Sequence, residues 1–192
     1  VANSVLVVGT HGSTGYATSV TYNAVAMTRI ADITSNPGPD YYISLWYLAN
    51  PASGSNTLTA NTATGSVGVQ AVVLTDARQT VIPDSSATDN PTGSDTSRTV
   101  STTVATSPCF LVGMCRHEGG TTQGVGAGTT QISILNLVQL IRSTATVSTG
   151  AQSLIHTTDI SSKPYAVVAS FAEFGVAPPA AATRPAFLLN FV

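Results

Sequence analysis

Residues 41–48 read Tyr41-Tyr42-Ile43-Ser44-Leu45-Trp46-Tyr47-Leu48, and the fold class turns on this stretch. Side chains alternate across a strand, so Tyr41, Ile43, Leu45 and Tyr47 share one face. Tyr42, Ser44, Trp46 and Leu48 share the other. Aromatic and branched residues on a period of two suit a pleated surface buried on at least one side. Turn chemistry bounds the stretch: Asn36-Pro37-Gly38-Pro39-Asp40 lies before it and Asn50-Pro51-Ala52-Ser53-Gly54 after it.

The same period recurs in both directions. Further strands are predicted at 4–9, 18–22, 26–32, 56–60, 68–76, 98–105, 109–116, 131–141, 152–156, 165–174 and 187–192. The segment 131–141 also reads as a short helix. Short strands with turn signals at this spacing indicate an all-β sandwich or barrel. Their number favours a two-sheet, jelly-roll-like β-sandwich with a C-terminal extension strand. No internal repeat is legible. The predicted organisation is a sandwich domain over 1–175, a Pro/Ala-rich leash over 176–185 and an apolar strand over 186–192. Such a strand must add to a sheet edge, either its own or a neighbour's. Phe187, Leu188, Leu189, Phe191 and Val192 are therefore the predicted assembly contacts.

Composition narrows the function. Hydrophobic residues make up 43% of the 192 residues and charged residues only 8%, against about 25% charged in a typical soluble domain. Ser, Thr, Asn and Gly replace the charge, which suits a surface covered by neighbours or exposed to harsh surroundings. The seven basic residues are scattered singly and the net charge is −2, which argues against nucleic-acid binding. No run of 18 apolar residues predicts a membrane span. The first residues lack the basic n-region of a signal peptide.

Several short pieces carry a resemblance. They are Ser4-Val5-Leu6-Val7-Val8-Gly9, Ser19-Val20-Thr21-Tyr22, Met27-Thr28, Leu45-Trp46-Tyr47-Leu48-Ala49-Asn50-Pro51, the strand and turn at 71–80, and Lys163-Pro164-Tyr165-Ala166-Val167-Val168-Ala169. Over roughly 3–174 the chain resembles a recurrent all-β, jelly-roll-like module of phage structural proteins and bacterial surface or secreted proteins. It departs from that pattern at Asn23-Ala24, where an Asn-Gly hairpin is usual. The resemblance implies a virion or extracellular structural role and supplies no catalytic residue.

Candidate chemistry is sparse. Cys109 and Cys115 would lie roughly 20 Å apart on one strand, too far for a disulfide unless the chain bends at Gly113. They read as buried free thiols. Arg116-His117-Glu118 reads as a solvated strand end, because neighbours on a strand point to opposite faces and cannot cooperate as base and acid. The glycine-rich 119–128 lacks the Lys-Ser/Thr of a phosphate loop. His11-Gly12-Ser13 reads as a turn, and His156 as a hydrogen-bonded structural histidine. Asp84, Asp89, Asn90 and Asp95 decorate an apparent hydrated loop over 83–97, without the ordered spacing of a calcium loop. Tyr42 and Trp46 would stack on a sugar ring if they faced solvent; otherwise they pack the core.

These readings lead to a non-enzymatic structural subunit with no catalytic residue, cofactor or metal. The expected setting is a virion or extracellular assembly, as a phage-type decoration, tail or fibre component. Its partners would be further copies or other subunits of that assembly. An extracellular filament subunit joined by donated strands, or an adhesin binding a surface glycan, are the alternatives.

Overall fold

The computed structural model describes residues 3–35, 41–119 and 121–175, and every regular element within them is a strand. In order these are β1 (Val5–Gly12), β2 (Ala17–Tyr22), β3 (Val25–Ala26), β4 (Thr28–Thr34), β5 (Tyr42–Ala49), β6 (Leu58–Thr62), β7 (Val67–Leu74) and β8 (Ser85–Asp89). Then follow β9 (Asp95–Val104), β10 (Cys109–His117), β11 (Gln123–Val125), β12 (Thr129–Leu135), β13 (Val138–Ser143), β14 (Gly150–Ser162) and β15 (Pro164–Ala172). The predicted C-terminal strand, its leash and the five contacts Phe187, Leu188, Leu189, Phe191 and Val192 lie outside the described residues.

All pairings are antiparallel. A four-stranded sheet in the order β4-β5-β1-β7 faces a five-stranded sheet in the order β12-β13-β10-β15-β8. Their shared core holds Val5, Val7, Ile43, Leu45 and Leu74 from one side against Val112, Met114, Leu140, Tyr165 and Val167 from the other. This pair of sheets is the sandwich. The chain departs from the two-sheet expectation on its outer faces, each of which carries a further three-stranded sheet.

The strands β3-β2-β6 pack Ala17 and Val20 on Leu6, Val8 and Trp46. The strands β11-β14-β9 pack Val100, Val104 and Leu154 on Leu111, Cys115 and Val168. The result is four layers. It explains why β1, β10 and β15 read as nearly unbroken apolar runs, since their side chains are buried on both faces. Each fully buried Val, Leu or Ile is worth about 1.5–3 kcal/mol relative to exposure, so the central strands carry much of the stability. The strand order does not establish a jelly roll.

Connectivity repeats within the chain. The order β4-β5-β1-β7 matches β12-β13-β10-β15, and the outer pair β2-β6 matches β11-β14. Strands β8 and β9 extend the second unit, and the two-residue β3 extends the first. Of the matching strands, β1 and β10 meet across the core. Val7 on β1 and Val112 on β10 both point inward, and Gly9 lies directly against the Met114 thioether, where any Cβ would collide with it. The next inward positions are His11 and Arg116.

Two tight hairpins use left-handed residues. Asn23 and Ala24, with φ 51° and 63°, join β2 to β3, so this turn forms without the usual glycine. Asn136 and Leu137, with φ 50° and 63°, divide the predicted strand 131–141 into β12 and β13. Positive φ at both central residues gives the turn a twist that matches its strands. Leu137 conceals that turn in the sequence. The loop predicted over 83–97 is also overturned: Ser85–Asp89 pairs with β15, and β9 begins at Asp95.

Candidate functional site

At one end of the sandwich the two central sheets part around a cavity of about 100 Å³. It is lined by His11, Gly12, Ser13, Tyr41, Ser66, Gly68, Arg116 and Asn136. His11 lies within strand β1 and is buried, which corrects the turn expected there. Its register partner on β7 is Gly68, and the imidazole fills the space a Cβ at Gly68 would need. Burial first, and then the nearby Arg116 charge, pull the His11 pKa down to about 4. The ring is therefore neutral at pH 7, and its Nε2 is buried without a hydrogen-bond partner.

Arg116 enters from β10 and is only 6% exposed. Its guanidinium carbon sits 3.3 Å from the centre of the Tyr41 ring, a stacked cation–π contact. Its Nε is buried without a partner. Other arginines have found carboxylates: Arg29 with Asp32, Arg78 with Asp84, and Arg98 with Asp89 and Asp95. Among the described residues no carboxylate lines the cavity; they supply one fixed positive charge, Arg116, and a neutral imidazole, His11.

The other sequence-singled residues are placed elsewhere. His117 is fully buried, which overturns the solvated strand end; only Glu118 beyond it meets solvent. Its ring lies 4.7 Å from that of His156, tilted by 54°, between the five-stranded sheet and its outer cover. Burial lowers the His117 pKa, opposed by the backbone of Ser162, Asp95 and the backbone of His156. Burial, with His117 and Arg98 adding repulsion, takes His156 down to about 3. Neither nitrogen of His156 has a hydrogen-bond partner among the described residues, so the hydrogen-bonded histidine expected there is instead one packed at a tilt against the His117 ring.

Cys109 and Cys115 are buried free thiols on β10. Gly113 between them stays extended, paired with Ile141 and Val168. Burial and Asp84 push Cys109 up to about 12, and burial raises Cys115 well above its ordinary value. Neither is a competent nucleophile near neutrality.

The acidic residues expected in a hydrated loop are tied into structure. Asp89 accepts two hydrogen bonds from Arg98, at 2.6 and 3.0 Å, and Asn90 donates to the Thr34 carbonyl. The Asp84 side chain is 1% exposed and pairs with Arg78 at 3.1 Å. It also accepts from the backbone N–H groups of Ala105 and Thr106. Burial opposes its ionisation, but hydrogen bonds from Thr106, Ala105 and Arg78 outweigh that and hold its pKa low.

Trp46 is 4% exposed, and its indole donates to Thr10 Oγ1. The sugar-stacking role considered for it is thereby corrected: the ring is part of the core beneath the outer sheet. Tyr42 is half-buried edge-on against Tyr16.

The cavity joins residues from five separate segments, so no local motif marked it. One signal was present. Alternation on β10 puts Arg116 on the face of Val112 and Met114, and an arginine there must be buried. Compared with protein-family models, curated proteins and solved structures, the chain finds no match.

Proposed function

We propose that the chain is a non-enzymatic structural subunit of a virion or extracellular assembly, associating through sheet edges and apolar side chains. One observation supports this best. Strands β7 and β12 are edge strands of the two central sheets, touch along one side of the sandwich, and carry exposed Val73, Ile134 and Leu135. Gln70 Nε2 donates to the Val138 carbonyl, and Ser133 Oγ donates to Gln70 Oε1, so this side is held in place before any partner arrives. Edge strands of this kind invite pairing unless charge blunts them, and the stretches Val67–Leu74 and Thr129–Leu135 contain no charged residue. The tail residues Phe187, Leu188, Leu189, Phe191 and Val192 are a second proposed contact.

Replacing Val73 and Ile134 together by Lys tests this reading. Exposed substitutions usually change stability by under about 0.5 kcal/mol, so the variant should melt like the parent. Light scattering after size exclusion should show the parent as an oligomer and the variant as a monomer or a much weaker oligomer. Equal masses for the two would overturn this edge as the contact.

A further inference from the structure

We propose that the cavity between His11 and Arg116 is a binding site for a carboxylate group, with Arg116 as its anchor. Three observations converge. First, Arg116 is more than nine-tenths buried, has no carboxylate partner among the described residues, and lines the cavity. A buried, uncompensated charge is among the most expensive arrangements in a fold, and an anion relieves it. Second, Tyr41 covers one flat face of the guanidinium. That leaves the edge for the in-plane, two-pronged hydrogen bonds that a planar carboxylate accepts. Third, the remaining described lining is neutral and polar: the His11 ring, the Ser13 and Ser66 hydroxyls and the Asn136 amide.

Charge and size choose among anions. The described lining presents a single positive charge, because His11 is neutral at pH 7. A monoanion balances it, whereas the dianionic half of inorganic phosphate at pH 7 leaves excess negative charge in a partly dry site. The planar fork of the guanidinium also matches a planar carboxylate. A cavity of about 100 Å³ is well above the ~10–15 Å³ that one water requires, enough for a carboxylate on a short stem. The carboxylate is supplied by a free small acid or by an acidic side chain of a second copy.

The test uses the intact, isotope-labelled chain. Acetate, inorganic phosphate and chloride are titrated separately at pH 7 and constant ionic strength, following the Arg116 Nε–H and His11 ring signals. Acetate should give saturable shifts of both, at least about fivefold tighter than phosphate or chloride. Arg116→Lys, which keeps the charge and loses the fork, should weaken acetate about tenfold. If that variant does not fold, the parent titrations still decide. No saturable shift with acetate, an equal response to chloride, or tighter binding of phosphate would overturn the proposal. Among supporting outcomes, Arg116 signals that change with protein concentration and revert with acetate assign the source to a second copy. Signals independent of protein concentration assign it to a free acid.

Discussion

Lowering the pH from 7 to 4.5 is expected to destabilise the folded chain by about 3 kcal/mol through His156 alone. All three histidines are buried and held neutral by that burial. In the unfolded chain each titrates near its ordinary value of about 6.5. As the pH falls below that value the unfolded state takes up protons that the folded state refuses. Stability is therefore fully present above about pH 6.5. It declines toward the folded values of about 4 for His11 and about 3 for His156. Each histidine inside its window adds a slope of about 1.4 kcal/mol per pH unit. Asp84, whose pKa is lowered in the folded state, adds its loss only below about pH 4. Thermal melts between pH 7 and 4.5 should show a steady fall in Tm. A flat profile over that range would mean that the histidines are solvated or paired in the folded state, contrary to the packing described.

Asp84→Ala should be the most damaging single substitution of a charged residue, at about 3–5 kcal/mol. It removes the carboxylate facing Arg78, whose side chain is 6% exposed, and orphans the N–H groups of Ala105 and Thr106. These groups tie the start of β8 to the end of β9, so the loss falls where one layer passes into the next. Replacing both partners, Arg78→Met with Asp84→Leu, should recover much of the loss, because no buried charge is then left alone. Urea denaturation of the two variants and the parent measures this. A loss below about 1 kcal/mol for Asp84→Ala would show the pair to be solvent-screened.

The alternation at Tyr41–Leu48 carried through to atomic packing. Tyr41, Ile43, Leu45 and Tyr47 join the central core, while Trp46 and Leu48 join the cluster under the outer sheet. What the sequence could not display was the second burial surface of the same strand. Trp46 has a polar handle and reads equally well as a solvent-facing aromatic or as a core residue bonded to Thr10. Strand β8 was missed because Ser85-Ser86-Ala87-Thr88-Asp89 lacks large apolar residues; it pairs through its backbone at the edge of β15. The repeated topology leaves no legible repeated motif, because strand order fixes direction and burial and leaves side-chain identity open: across the core Gly9 meets Met114, and His11 lies near Arg116. At Gly9 and Met114 the partners differ because a small residue makes room for a large one.

Negative-stain electron microscopy of the purified 192-residue chain, imaged across a range of concentrations, tests the structural-subunit reading most directly. Regular particles or filaments whose abundance rises with concentration are the expected result. A field of single, unassociated subunits at every concentration would contradict it.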